Sequence, residues 1–251
     1  MSILKFANII GLILSISHYC VAQHSNLFIN EFMASNVLAY GNIHGDYEDW
    51  IEIYNSSASP IDLGGYYLTD NLGGGSHWQI PSGQQAKTTV PASGYLVLYA
   101  DTLPGLGADH LGFKLKSESG QIVLLDKDNT TILDSINYET QFRDISFGRS
   151  PDGSAQWMYM ANFTPAAANK QGYESYTMPP TIGQRAGFYQ SLTVTVQPAA
   201  IGDTIRYTLD GTDPTEASPQ YTLPVEITQT SIFKARSFKS DAMPSQIITK
   251  G

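Results

Sequence analysis

A β-strand is written into Asp49-Trp50-Ile51-Glu52-Ile53-Tyr54-Asn55, because Trp50 and Glu52 alternate with Ile51 and Ile53. That period of two is the mark of a strand with one buried face. Asn55 and the polar run Ser56-Ser57-Ala58-Ser59-Pro60 stop it, and Gly64-Gly65 makes a turn. A second aromatic strand then runs through Tyr66-Tyr67-Leu68-Thr69 to Asp70. Two such strands bury too little apolar surface to stand alone, so a larger sheet must surround them. The feature fixes an all-β class and supplies no chemistry.

Met1 to Ala22 reads as a secretory signal peptide: Lys5, then an apolar segment around Ile9-Ile10-Gly11-Leu12-Ile13-Leu14, then Cys20-Val21-Ala22 with small residues at a cleavage site. An uncleaved membrane anchor is the rival reading. Ser15, Ser17 and His18 interrupt the run before it reaches the ~20 residues that span a bilayer. Tyr19 stands where a lipidated cysteine needs a small residue before it. No other apolar run is long enough to cross, so no transmembrane segment is expected in the mature chain, which is secreted or held at the cell surface. Cys20 is the only cysteine and leaves with the leader. An exported chain without disulfides is held by its core alone, and cysteine hydrolysis, thiol exchange and zinc–thiolate sites are excluded.

The formal charge is −9, and it is unevenly placed. Residues 24–179 hold 7 basic and 17 acidic side chains, whereas residues 180–251 hold 6 of each. Affinity for nucleic acid comes mainly from Lys and Arg neutralising phosphates, so no nucleic-acid partner is expected. The ordinary meaning of such an acidic surface is solubility.

Strand-like runs recur at Leu27–Met33, Trp50–Tyr54, Tyr66–Thr69, Gly94–Ala100, Gln121–Asp126, Thr131–Asn137 and Ile145–Gly148. Turn-formers such as Asn71-Leu72-Gly73-Gly74-Gly75, Pro104-Gly105 and Asp128-Asn129 separate them, which predicts a sandwich or barrel over residues 26–172. No sustained 3.6-residue period argues for a helix. A polar, proline-ended linker, residues 173–179, leads to a second sandwich over residues 180–251. There Leu192, Val194 and Val196 predict one strand and Ile205, Tyr207 and Leu209 another. Tyr221–Ile227 and Ile232–Phe238 complete it, with Phe233 and Ala235 facing opposite to Lys234 and Arg236. A module of this size has a thin core.

Few residue patterns suggest chemistry. Asp210 and Asp213 offer a carboxylate pair of the kind glycosidases need, but Asp210-Gly211 and Asp213-Pro214 also shape a tight turn, the favoured reading. Asp126-Lys127-Asp128-Asn129-Thr130 imitates a calcium loop, yet Thr131 and Asn137 occupy the positions where glycine and glutamate are required. Asp46, Glu48, Asp49 and Glu52 form the densest acidic group, read as a solvated rim with calcium binding as the alternative. His18, His24, His44, His77 and His110 show no metalloprotease or triad spacing, and His77 beside Trp78 reads as structural. Gly73-Gly74-Gly75 lacks the Lys-Ser/Thr pair of a phosphate loop. Trp78, Trp157, Tyr66, Tyr67, Tyr159 and Tyr189 would form a sugar-stacking platform only if some lie flat on the surface; most tyrosines in a sandwich serve the core or its rim.

Two resemblances cover nearly the whole exported portion. Ile29-Asn30-Glu31 with Asn36, the Asp49–Asn55 run, Ile61–Asp70, His77–Pro81, Val90–Tyr95, Ser146–Gly153 and Thr164-Pro165 through Asn169 resemble the lamin-tail domain family in its bacterial, secreted form. Ala166 stands where that family usually has glycine. Tyr207–Thr215, Ser218–Tyr221, Lys234–Phe238 and Pro244-Ser245 resemble the C-terminal β-domain of chitobiases and beta-hexosaminidases. The resemblances imply two tandem immunoglobulin-like β-sandwiches. In chitobiases the catalytic carboxylates lie on a separate barrel, and no such barrel is present in these residues.

The expectation is therefore a secreted or cell-surface accessory protein that binds or adheres and is not an enzyme. It carries no catalytic, cofactor-binding or metal-binding residues and needs no cofactor. Its partners would be envelope or matrix polysaccharide or a partner protein domain. The alternative is the N-terminal, non-catalytic part of a larger exported enzyme, a glycoside hydrolase or a spore-coat-kinase-like protein, since the chain stops at or just after a last strand, Ile247–Gly251.

Overall fold

The computed structural model describes residues 25–74, 77–187 and 191–251. The leader assigned to residues 1–22, with Lys5, His18 and Cys20, lies outside them, as do His24, Gly75 and Tyr189. The first module contains β1 (Leu27–Met33), β2 (Asp49–Asn55), β3 (Ile61–Asp62), β4 (Tyr67–Thr69), β5 (Trp78–Gln79), the single helical turn α1 (Gln85–Thr88), β6 (Thr89–Val90), β7 (Tyr95–Ala100), β8 (Gly120–Leu125), β9 (Ile132–Tyr138), β10 (Ser146–Arg149) and β11 (Trp157–Met160).

These strands form a sandwich. One sheet has the order β11-β10-β1-β2-β7 and the other β5-β4-β8-β9, while β3 and β6 pair separately. Every pairing is antiparallel. The core between the sheets holds Ile29, Phe32, Ile51, Ile53 and Leu98 against Leu68, Ile122 and Leu124. The two runs first read from the sequence thus lie in different sheets, and residues 56–66 cross from one to the other rather than closing a hairpin.

The structure corrects the one-faced reading of Asp49–Asn55. Trp50 and Glu52 are as fully buried as Ile51 and Ile53. β2 sits between β1 and β7, and its outer face is covered: Tyr40 packs edge-on against Trp50, and Ala166 donates to Glu52. Periodicity reports that two faces differ in polarity, and it is silent about a polar face that is covered.

The second module has β12 (Thr181–Ile182), β13 (Leu192–Val194), β14 (Val196–Gln197), β15 (Thr204–Thr208), β16 (Val225–Ile227), β17 (Phe233–Phe238) and β18 (Ile248–Lys250). β15-β17-β18 form its main sheet, and β12-β14 and β13-β16 form pairs. The single strand expected through Leu192, Val194 and Val196 is broken at Thr195. The Gln184 side chain takes that residue, accepting from Thr195 N at 2.9 Å and donating to its hydroxyl, so the two halves pair with different partners. Of the Tyr221–Ile227 run only Val225–Ile227 is strand. Phe233 and Ala235 face the core as expected.

Between the modules Tyr173 bridges to Tyr159, and Tyr176 bridges to Met243. The Tyr176 ring stacks on Phe142 at 4.0 Å, and its hydroxyl oxygen accepts from Gln246 N at 3.0 Å.

Candidate functional site

The densest set of buried polar groups lies on the outer face of the five-stranded sheet, and a β-bulge creates it. Ile29 pairs with Ile53 and Glu31 with Glu52, so Asn30 is an extra residue on β1. Without the bulge, strict alternation would put Glu31 on the same face as Ile29 and send Phe32 outward. The inserted residue lets Ile29 and Phe32 both reach the core and places Asn30 and Glu31 beside Glu52 on the other face. The bulge is locked by side chains. Asp134 accepts from Ile29 N at 2.7 Å, Arg149 Nε donates to Ile29 O at 2.8 Å, and the two side chains pair at 2.9 Å. The Arg149 guanidinium lies 4.7 Å from the Trp157 ring.

A strap, residues 161–172, closes over this face. Thr164 donates through its backbone N and its hydroxyl to Glu31, and Ser146 donates to the same carboxylate. Ala166 N donates to Glu52 Oε2 at 2.6 Å, while Asn30 Nδ2 donates to Glu52 Oε1 at 3.1 Å and to Asp152 Oδ1 at 3.0 Å. Asn169 N donates to Asp152, and Asn169 Nδ2 donates to the carbonyls of Asn30 and Arg149. Tyr95 donates its hydroxyl proton to Asp152 at 2.6 Å. The result is a clasp in which the carboxylates of three strands or turns fasten one irregular segment through its backbone N–H groups.

Burial raises the Glu52 pKa to about 8, helped by the nearby Glu31 and Asp152 charges and opposed by the Asn30 and Ala166 donors. Glu31 is also raised by burial, against the pull of Ser146 and Thr164. Strongly shifted carboxylates often mark catalysis. Here both have no exposed surface, and their oxygens accept from the protein's own donors. A general acid or base must touch the proton that it moves, so in this closed arrangement the pair serves as structure.

The acidic group expected as a solvated rim is dispersed. Asp46 is exposed, Glu48 reaches Lys114 at 3.5 Å, and Glu52 lies in the clasp. Asp49 accepts from Asn36 N, and burial raises its pKa to about 6. The rim reading therefore fails for Glu52 and Asp49, because β2 is a central strand with cover on both faces. Among the described residues no group of three or more acidic or histidine side chains converges as metal ligands do.

The remaining candidates fall into place locally. Asp210 Oδ1 accepts from the N and hydroxyl of Thr212, and Asp213 pairs with Lys234 at 2.7 Å. Asp128 accepts from the Thr131 hydroxyl and from Thr131 N and Thr130 N in the β8–β9 hairpin turn, and these bonds hold its carboxyl well below the usual range. His77 contacts Asn129 Oδ1 at 2.6 Å, just before β5. His110 is buried against Asp101, a pair that sequence spacing did not single out. Tyr66, Trp78 and Trp157 are partly buried against the core, Tyr159 packs on Phe147, and Tyr67 is half-buried.

With this geometry in view, residues 21–140 match the family described as Lamin Tail Domain, and residues 184–249 match the Chitobiase/beta-hexosaminidase C-terminal domain. The chain joins a segment similar to a lamin tail domain to one similar to a chitobiase C-terminal domain. Both are immunoglobulin-like accessory types rather than catalytic ones. No curated protein matches the chain. The lamin tail match spans β1 to β9 and so contains Asn30, Glu31 and Glu52. β10, β11 and the strap lie beyond it in sequence yet complete the same sheet and the same clasp. No helix among the described residues is long and apolar enough to cross a membrane.

Proposed function

We propose that the chain is an exported, non-catalytic module that binds or adheres at the cell surface or in the secreted state. The observation that carries the reading is the clasp: the buried Glu31 and Glu52 and the half-buried Asp152 each accept from a backbone N–H of the strap. The acidity that suggests chemistry in the sequence is thereby used for architecture. Export rests on the Met1–Ala22 leader pattern. The proposed targets are envelope or matrix polysaccharide, for which the name of the chitobiase-type domain speaks, or a partner protein domain. A glycan-array measurement on residues 24–251 tests the first. Binding to no polysaccharide removes the carbohydrate target, and turnover abolished by one polar substitution overturns the non-catalytic reading.

The second reading, an accessory portion of a larger exported enzyme, is favoured by the same chitobiase-type match, since that family is named for enzymes. The genomic sequence after Gly251 separates the two: an open frame into a catalytic domain supports the enzyme, and a stop codon supports the free-standing binder.

A further inference from the structure

We infer that one end of the lamin tail sandwich is a docking surface for a protein segment presenting an aliphatic face rimmed by lysine or arginine. This rests on the binding reading above and names its surface and partner. Met33 pairs with Trp50, Asp49 with Ala100, Phe32 with Phe147 and Gly120 with Tyr138. The loops of residues 34–48, 101–119 and 139–145 therefore emerge at the same end. They sit over the adjacent strands β10, β1, β2 and β7, about 14 Å across at the usual strand spacing.

Two of these loops expose large apolar side chains: Val37, Leu38, Ile43 and Tyr47 from one, Leu103 and Leu106 from the other. Ile43 keeps 90% of its surface exposed and Leu38 64%, both with the second module in place. Their backbones are nonetheless pinned. Asp144 Oδ1 accepts from Val37 N at 2.7 Å and Leu38 N at 2.8 Å. Asn42 Oδ1 accepts from His44 N and Asp46 N, and Asp101 Oδ1 accepts from Leu103 N. Apolar anchors on pre-ordered loops lose little further freedom on docking, which favours affinity.

Charge chooses the partner. The three loops hold seven acidic residues against Lys114, Lys116 and Arg143. Asp101 is buried against His110, Asp109 pairs with Lys87, and Glu48 and Asp144 pair with two of those cations, which leaves Asp46, Glu118 and Glu139 exposed beside Lys116. Such a field attracts a basic partner and repels phosphate-bearing lipid or nucleic acid.

The test uses the whole chain and a short labelled helical peptide with leucine on one face and lysine on the other. The expected result is binding that weakens with added salt and falls about tenfold or more in the double variant Leu38→Ser, Ile43→Ser, with unchanged melting. Leu103→Ser with Leu106→Ser repeats the test on the second loop. Ile201→Ser with Leu223→Ser, equally exposed but in the second module, is expected to leave binding intact. Equal binding by both loop variants, equal binding of the glutamate-for-lysine peptide, no peptide binding at all, or capture by phosphatidylcholine or phosphatidylglycerol vesicles instead would each overturn the inference. A positive glycan array beside a failed peptide experiment leaves the binding function standing and removes this surface alone.

Discussion

Glu31 and Glu52 stand opposite each other on neighbouring antiparallel strands, both fully buried, and no ion pair reaches either among the described residues. Two like charges so placed oppose one another's ionisation, and the donors of the strap and of Asn30 and Ser146 only partly offset the loss of water. The fold therefore keeps a proton at this site that the unfolded chain gives up.

That has a consequence for stability against pH. Glu52 ordinarily titrates near 4.5 and is raised to about 8 in the fold. The folded state binds the extra proton, so stability is fully present below pH 4.5 and falls as pH rises towards about 8. At about 1.4 kcal/mol per pH unit the ceiling is roughly 5 kcal/mol. Asp49, raised to about 6, adds loss of the same sign over the lower part of that window. Denaturant titrations across the window are expected to show the decline, and Glu52→Gln should flatten most of it. Stability that rises with pH there would contradict the assignment.

Ala166 sits at φ +63, the left-handed region, with its side chain exposed. An L-residue is strained there by about 1 kcal/mol, whereas glycine is not. Ala166→Gly is expected to raise stability by roughly 0.5 kcal/mol, once glycine's greater freedom in the unfolded chain is subtracted. A lower melting temperature would show that the strap is not held as described.

Gly148 is where β10 passes beneath the strap. A Cβ there would lie 2.8 Å from Asn169 Nδ2, 3.1 Å from Glu31 Cγ and 3.2 Å from the Asn30 carbonyl oxygen. Gly148→Ala should displace Asn169 from its two carbonyl partners and cost about 1–3 kcal/mol. Thermal melting reads this directly, and protease cleavage within residues 161–172 should rise with it.

Among the described residues of the second module, Phe233 is the largest fully buried side chain. Truncating a buried Phe to Ala costs about 3–5 kcal/mol, comparable to the whole stability of so small a domain. Phe233→Ala is expected to unfold residues 180–251 while the near-ultraviolet signal of Trp50 and Trp157 persists. Loss of both would mean that the modules unfold as one.

Most of the strands were legible because their alternation is local: Leu27–Met33, Thr131–Asn137 and Ile232–Phe238 emerge within a residue or so of the runs that announce them. The short pieces were not. Ile61–Asp62, Trp78–Gln79 and Thr89–Val90 are two-residue strands defined by a partner rather than by a pattern. The break at Thr195 depends on Gln184, eleven residues away. A trace of the clasp existed in Ile29-Asn30-Glu31-Phe32, where two apolar residues stand three apart and no strand period fits both. Read as a bulge signal, it would have put Glu31 on the same face as Glu52, though not shown what covers that face.

By itself the sequence determined the all-β class, the order of two immunoglobulin-like modules and the turns built on Asp210 and Asp128, since alternation and turn chemistry act over a few residues. Only the tertiary structure decided that Glu52 is sealed rather than solvated and that Thr164, Ala166 and Asn169 close upon it. Burial and proton affinity depend on what covers a residue, and that cover comes from more than a hundred positions further along the chain.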